Sequence, residues 1–433
     1  MATATPRAKS ASKRPSKKSG ADTNAAVNNV DVMIAGAGYV GLATAAAIAH
    51  AAPHLSIRVV DPAPDGVWKK DGRASAIAAA ASRMLAELGC WDTLLEDAEP
   101  IREMIVTDSR TGDPTRPVFL TFDGEVRPGE PFAHMLPNAA LNGALREKCA
   151  ACGVTISQGV AVSGFSEDAP GTPLTVTLTN GEEVKARLLV AADGVKSALR
   201  GLAGIKTVHW DYGQMGIVAT IAHERPHEGR AEEHFLPAGP FATLPLKGNR
   251  SSIVWTETKE NAERLLAADD FTFDIELEQR FGLKLGDIRV EGQKRAYPLG
   301  LTLARDFVKP RVALVGDAAH GIHPIAGQGL NLGFKDAAAL AETVVEADRL
   351  GLDIGALDVL QRYERWRRFD TWQMGATTDV LNRMFSNDFT PLRAIRDIGL
   401  GLVDRMPGMK SFFITQAAGL SGPAPRLLRG EPI

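Results

Sequence analysis

Cysteine is scarce in this chain, with three in 433 residues, and no even set exists from which a disulfide framework could be built. Together with the lack of a secretory signal, this points to a reducing compartment. Cys149 and Cys152 do form a C-x-x-C pair, but no second pair completes four ligands and Cys90 stands alone in sequence. They are expected to be helix cysteines packed near a strand, and no metal site is expected. Only four tyrosines are present (Tyr39, Tyr212, Tyr297, Tyr363), which limits any phenol relay, and the nine histidines are scattered. Long hydrophobic runs are also lacking, with one exception. Val32 to Ala49 carries no charge and is long enough to raise the question of a membrane span. Three glycines at turn spacing and a high content of alanine and threonine make it a strand, a turn and a helix instead. Acid is absent from residues 1–20, which hold six Lys/Arg, whereas the remaining chain carries 43 basic against 52 acidic residues. The acidic body argues against nucleic acid as a partner. The basic tail has almost no large apolar side chain and is expected to be solvated and disordered; it lacks the apolar face of a mitochondrial presequence.

What the chain does have is a set of strand ends marked by glycine and aspartate. Val30 to Ala35 is short and apolar, and Gly36, Gly38 and Gly41 follow directly. Such a turn supplies positive φ, a bare backbone for close approach of a pyrophosphate, and tight helix–strand packing. The helix predicted from Leu42 to His50 then aims free N–H groups at negative charge. A second strand, Ile57 to Val60, ends at Asp61, twenty residues after Gly41. A carboxylate there accepts hydrogen bonds from ribose hydroxyls and repels a 2′-phosphate, so this half suits the adenosine of FAD or NAD better than NADP.

Two further segments repeat the pattern. Leu188 to Ala192 reads as a buried strand closed by Asp193-Gly194, with Ser197 and Arg200 on the next helix. Val312 to Val315 ends at Gly316-Asp317, followed by a loop from His320 to Gly329 that contains His323-Pro324. The helix predicted from Leu330 through Glu342 has its N-terminus at that loop, where it suits the negative charge on the pyrimidine edge of a reduced flavin. A lone Asp-Gly is an ordinary turn. Three such strand ends in one chain point to a large cofactor threaded through the fold, and FAD is the best candidate.

The segment Gly316-Asp317-Ala318-Ala319-His320-Gly321-Ile322-His323-Pro324-Ile325-Ala326-Gly327-Gln328-Gly329-Leu330-Asn331 resembles the second flavin motif of class A aromatic hydroxylases. More narrowly, it resembles the ubiquinone-biosynthesis hydroxylases of the para-hydroxybenzoate hydroxylase fold. Asp193-Gly194 with Ser197 and Arg200 is similar to that family's middle motif, and Asp71-Gly72-Arg73-Ala74-Ser75-Ala76 to the stretch whose arginine contacts the flavin. Ser252 to Thr256, Tyr297-Pro298-Leu299, and Thr378-Asp379 with Leu381-Asn382 resemble the narrower group. The resemblance implies FAD held by Gly36, Gly38, Gly41, Asp61, Arg73, Asn138, Asp193, Gly194, Gly316, Asp317, Gly327, Gln328, Gly329, Leu330 and Asn331. His323 and Pro324 would lie near the flavin ring, and no residue is assigned as catalytic. It also implies a monooxygenase in which reduced FAD and dioxygen form a flavin hydroperoxide that hydroxylates an electron-rich ring. The substrate would be a polyprenylated ubiquinone precursor, with NAD(P)H or another donor as reductant. Two alternatives stay open: a hydroxylase of a soluble aromatic acid, for which Arg295 and the Lys/Arg near 247–250 could be claimed, and a non-catalytic flavin-binding scaffold.

The expected fold is α/β, a doubly wound FAD-binding Rossmann-like domain with an antiparallel-sheet substrate domain and C-terminal helices. Residues 1–29 are the tail, and 30–205 the first part of the FAD-binding domain, with strands at about 105–134 on the substrate side. Residues 206–300 form the substrate domain, 301–345 the second part of the FAD-binding domain, and 346–433 a helical region. In the last, Leu392, Ile395, Ile398, Leu402, Val403, Met406 and Met409 recur at helical spacing among Arg393, Arg396, Arg405 and Lys410, with Phe412-Phe413-Ile414 beyond. That stripe reads first as a helix packed on the domains. Its alternative is a contact with a membrane or a quinone-biosynthesis complex, through which a bilayer-dissolved substrate would enter. The expected location is the cytoplasm, compatible with a peripheral contact to the inner membrane, rather than the mitochondrial matrix.

Overall fold

The computed structural model describes residues 1–2, 28–108, 118–123, 125–322, 328–385, 418–420 and 422–433. Its first sheet is built around the strand Glu183–Ala191. That strand pairs in parallel with Asn28–Ala35 on one side and with Val312–Leu314 on the other. Ile57–Asp61 and Thr155–Gln158 extend the parallel part, and Leu174–Leu178 and Val162–Glu167 add an antiparallel edge. Val32, Met33, Ile34 and Leu188 to Ala191 are buried, as central parallel strands covered on both faces must be. The register is what positions the site. Ala35 lies opposite Ala191, and Ala191 opposite Leu314, so the three glycine- and aspartate-marked ends emerge side by side at one edge.

The uncharged run from Val32 to Ala49 is strand, turn and helix, and the helix Tyr39–Ala51 begins three residues earlier than the sequence suggests. Gly41 to Ala49 are all buried, because this helix lies between the sheet, the helix Asn138–Ala151 and the long helix Gln328–Arg349. Burial all round explains why it carries no polar stripe. Among the described residues, no helix is long and apolar enough to cross a membrane.

The second sheet has eight strands, in the order His320–Gly321, Ile288–Ala304, Thr207–His223, Arg250–Thr258, Gly239–Leu246, Arg230–Leu236, Glu103–Asp108 and Val118–Asp123. The strands anticipated near 105 and 118 complete this second sheet. Three details depart from the expectation. The junction of Arg230–Leu236 with Glu103–Asp108 is parallel, because a strand from the first half of the chain adds to the edge of the later meander. Ile288–Ala304 runs through the boundary placed at 300. Residues 206–300 also contain two helices, Lys259–Ala267 and Asp270–Phe281, capped by the side chains of Thr258 and Asp269. Their apolar residues Ala262, Leu265, Phe273, Leu277 and Phe281 cover one face of the sheet over Ile217, Phe241, Ile253 and Trp255.

After the long helix, Leu357–Phe385 packs across both sheets, and the chain end returns to the first domain. Ala80 N–H donates to Ala418 O, Trp366 Nε1 to Pro423 O, and Leu427 and Leu428 are buried. The tail residues 3–27, the loop holding His323, Pro324 and Gly327, and the stripe from Leu392 to Ile414 lie outside the described residues.

Candidate cofactor and substrate cavity

The three glycines of the first turn meet three different demands. Gly36 has φ +112°, and a Cβ on it would lie 2.2 Å from Ala192 O. A Cβ on Gly41 would lie 2.0 Å from Gly36 O, so only glycine lets this helix approach its strand. Gly38 has nothing within 4 Å of an added Cβ, and the space it leaves open belongs to a cavity of about 520 Å³. It is also the N-cap of Tyr39–Ala51, with no side-chain cap and no acid in the first turn, so the helix N-terminus keeps its N–H groups for an anion.

The cavity lies between the two sheets. On the first-domain side it is lined by Gly38, Arg73, Asn138, Gly194, Asp317, Gly329, Leu330 and Asn331, so all three marked strand ends contribute. Gly36, Gly41 and Gly316 stand behind this wall as packing glycines; at φ +58°, Gly316 sits against Val40. Gln328 opens the long helix, which starts two residues before the predicted Leu330.

Several predicted side chains turn out to be engaged by protein. Asp61 Oδ2 accepts from Ala37 N at 2.7 Å and Oδ1 from Ala63 N at 2.8 Å, which ties the second strand to the glycine turn. Asp193 is not among the residues lining the cavity: its oxygens accept from Ser197 Oγ and Leu199 N and so hold Ser197, the N-cap of the helix Ala198–Leu202. Arg200 donates to Ala318 O and Val195 O, bracing the middle and late segments against each other. Asn331 spends its amide on Ala78 N and Ala76 O, both at 2.9 Å, and so fastens the strand Ala74–Ala78 to the long helix.

Around Arg73 the structure shows pairings that the sequence did not specify. Arg73 Nε and Nη2 donate to Asp71 at 2.8 and 2.7 Å, Tyr39 Oη donates to Asp71 Oδ2 at 2.7 Å, and Ser75 Oγ donates to Asn138 Oδ1 at 2.7 Å. The Arg73 guanidinium also stacks over the Tyr297 ring, 5.5 Å from its centroid. Burial alone would raise Asp71, but the Arg73 fork and the Tyr39 hydroxyl outweigh it and hold the carboxyl well below the usual range. Burial and the Asp71 charge push the Tyr39 phenol up, so it stays a neutral donor. Tyr39 follows a turn glycine and Asp71 starts the arginine stretch; that adjacency was the available signal. Asp317 is exposed and lines the cavity. The enclosing protein desolvates it and raises its pKa, against the lowering pull of His320 and Arg73.

His320 is fully buried beneath this wall, not in the cavity. Its Nε2 meets Asp336 Oδ2 at 2.5 Å; Asp336 also accepts from Gly316 N and, through Oδ1, from Arg367 Nε at 2.9 Å. Burial pushes Asp336 up, and the two basic partners more than reverse it. Two histidine pairs have i, i+4 spacing. His54 and His50 bond to Asp348 and Lys148, while His223 and His227 bond chiefly to backbone and Ser251. No group of three metal-ligating side chains occurs among the described residues. Cys149 is fully buried against Leu42 O, on the neighbouring helix rather than a strand; burial raises its thiol to about 12 and that of Cys90 to about 11.

The opposite wall is the uncovered face of the second sheet: Pro240, Ala242, Leu244, Val254 and Thr256, with Ile101, Met104 and Phe132 beside them. Glu232 and Glu233 also reach it, and Arg73 is the basic side chain among its described lining residues. Arg295, Lys247 and Arg250 do not line it; Arg250 pairs with Glu291.

A family model described as an FAD binding domain matches residues 29–375. Ubiquinone hydroxylase UbiL of Rhodospirillum rubrum is 43% identical, over 97% of this chain and 97% of its own length. The 3-demethoxyubiquinol 3-hydroxylase of Escherichia coli is 32% identical over 90% of this chain and 98% of its own. Among solved structures, p-nitrophenol 4-monooxygenase PnpA from Pseudomonas putida superposes with a TM-score of 0.75 at 20% identity, covering 92% of this chain and 99% of its own, a likeness of fold. Matched along nearly its whole length, the chain belongs to the FAD-dependent hydroxylases of ubiquinone biosynthesis, flavoprotein monooxygenases of the para-hydroxybenzoate hydroxylase fold.

Proposed function

We propose that this monooxygenase hydroxylates the aromatic ring of a polyprenylated ubiquinone precursor, with NAD(P)H as reductant. The observation that carries the substrate class is the charge and polarity of the sheet-side wall. It is mainly apolar, one of its two carboxylates, Glu232, is paired with Lys284, and the one guanidinium among the described lining residues is held by Asp71. A benzoate-type acid would be desolvated there and find no uncommitted cation among the described lining residues to pair with. A neutral ring with an apolar tail meets neither penalty. The relatives' names point the same way: UbiL is a ubiquinone hydroxylase, and the Escherichia coli protein acts on 3-demethoxyubiquinol.

The residues present fit FAD, and the open space beside Gly38 at an uncapped helix N-terminus is the observation behind that fit. In our assignment the turn Gly36–Gly41 takes the pyrophosphate and Asp61 the ribose. Arg73 and Asn138 meet the flavin. Gly316-Asp317 holds the ribityl chain, and the segment Gly327 to Asn331 holds the pyrimidine edge. Reduced FAD, when bound, activates dioxygen, passing one oxygen atom to the ring while the other leaves as water. The protein's own work is to orient. Asp71 and Tyr39 fix the Arg73 fork, Asn331 and Arg200 lock the segments that form the floor, and the apolar wall keeps water from the reacting ring. For the prenyl tail we propose the stripe from Leu392 to Met409 as the contact with a membrane or biosynthetic complex, with the protein otherwise in the cytoplasm.

The test uses the FAD-loaded enzyme with NAD(P)H and dioxygen, offered 2-prenylphenol or 4-hydroxybenzoate. Hydroxylated prenylphenol with little turnover of the acid supports the proposal, and the reverse preference overturns it in favour of a soluble aromatic substrate. Failure to consume either reductant or dioxygen would revive a scaffold role. In cells lacking the protein, mass spectrometry of lipid extracts should reveal a prenylated intermediate missing one hydroxyl, which identifies the carbon.

A further inference from the structure

We infer that Thr256 is the substrate-positioning residue of the cavity, hydrogen-bonding the ring oxygen and thereby choosing which ring carbon is presented for hydroxylation. The inference rests on the function proposed above and adds a residue to it. Thr256 lies near the end of the strand Arg250–Thr258 and is 2% exposed, yet its Oγ1 has no hydrogen-bond partner. A buried hydroxyl left unpaired is costly, and valine has the same shape and an equal preference for strands. Folding alone therefore gives no reason for a hydroxyl here.

Its setting says what the hydroxyl is for. Side chains alternate along the strand: Ile253 and Trp255 enter the core beneath the sheet, and Val254 and Thr256 face the cavity. On the neighbouring strand Pro240, Ala242 and Leu244 do the same, so Thr256 puts one neutral hydrogen-bonding group into an apolar wall. Its orientation is fixed as well. Gly239 has φ +136°, and a Cβ there would lie 2.4 Å from Thr256 Cγ2, so the methyl fills the hollow above the glycine. With the methyl seated there, the hydroxyl sits unpartnered within the cavity wall. A carboxylate can only accept hydrogen bonds, whereas a threonine hydroxyl both donates and accepts. It thus serves a phenol, an ether or a quinol oxygen equally. The ligand class is a ring carrying a neutral oxygen substituent, and the oxygen's position relative to Thr256 selects the carbon.

The experiment compares 2-prenylphenol with prenylbenzene, which lacks the oxygen, by titration of FAD-loaded wild-type, Thr256→Val and Thr256→Ser protein, read from the flavin absorbance change. Wild type should bind the phenol more tightly than prenylbenzene. Thr256→Val should weaken the phenol about 3- to 10-fold and leave prenylbenzene unchanged, the range expected of one neutral hydrogen bond. Thr256→Ser should restore phenol affinity. Turnover of the phenol by Thr256→Val should release more peroxide per reductant consumed and yield a mixture of hydroxylated products. Equal phenol affinity in wild type and Thr256→Val overturns the inference while leaving the proposed function standing. So does equal affinity of wild type for phenol and prenylbenzene, a measurement that needs no variant. Failure of wild type to bind the phenol at all overturns the proposed function, and this inference with it.

Discussion

Two glycines three residues apart in the first turn should fail in opposite ways when each is changed to alanine. Gly38 has φ −75° and ψ 176°, extended backbone that alanine adopts without strain, and its new methyl would meet nothing within 4 Å. Gly→Ala at a compatible position stabilises by about 0.4–1 kcal/mol, because the unfolded chain loses freedom. The methyl would stand in the cavity at the helix N-terminus, where the pyrophosphate needs a bare backbone. Gly38→Ala should therefore leave the apoprotein at least as stable as wild type while raising the Kd for FAD tenfold or more, a loss of about 1.4 kcal/mol. At Gly41 the added carbon would lie 2.0 Å from Gly36 O and 3.1 Å from Ala192 Cβ, and the carbonyl is part of a sheet end that cannot yield alone. The helix must back away from the strand, an overpacking penalty of about 1–3 kcal/mol that falls on folding with or without cofactor. The assay is thermal unfolding of FAD-free protein, since bound cofactor would add its own stabilisation, followed by FAD titration from fluorescence quenching. A Gly38→Ala protein that binds FAD as wild type does would refute the placement of the pyrophosphate. A Gly41→Ala apoprotein with wild-type Tm would refute the packing account.

Asp336 is the buried acceptor for Gly316 N, His320 and Arg367, and Asp336→Ala should cost about 3–5 kcal/mol in urea unfolding, with Asp336→Asn milder. Its pKa is lowered in the fold, so its contribution is present above the unfolded carboxylate value of about 4 and is lost as pH falls below it. The urea midpoint of wild type should drop on acidification through that range, and that of Asp336→Asn should drop less; identical profiles would refute the role. Tyr39→Phe removes one donor to an ionised carboxylate that Arg73 still holds, and should destabilise by about 1.5–3 kcal/mol at most, measured by the same unfolding. Iodoacetamide at pH 8 should label half-buried Cys152 well before Cys149 and Cys90, whose thiols burial has raised to about 12 and about 11, as peptide mass spectrometry would report.

The sequence was most legible where the backbone itself carries the requirement. Gly36 at positive φ and Gly41 beneath a carbonyl are local demands that glycine alone meets, and each strand end announces itself by an apolar run stopping at Gly or Asp. The parallel register that sets Ala35, Ala191 and Leu314 abreast turns those local signals into one site. The two helices between 259 and 281 had their own stripe, Ala262, Leu265, Phe273, Leu277 and Phe281, but the strand-rich sequence on either side masked it. The parallel pairing of Arg230–Leu236 with Glu103–Asp108 joins segments more than a hundred residues apart and left no local trace.

Side-chain chemistry was legible in kind but not in use. Asp193 and Asn331 have the composition of ligand-binding residues, and the fold spends both on its own groups, Asn331 across more than 250 residues of chain. Thr256 is an ordinary strand residue by composition, and the fold leaves its hydroxyl unspent at the cavity wall. Whether a polar group is available to a ligand is decided by what remains after every buried donor and acceptor has found its partner, and that account closes only in three dimensions. A motif therefore tells where a cofactor's backbone contacts lie, because bareness is a property of one residue. Substrate choice is written in the unsatisfied remainder, which is why the cofactor could be inferred from the glycines while a use for the Thr256 hydroxyl emerged only from the packed sheet.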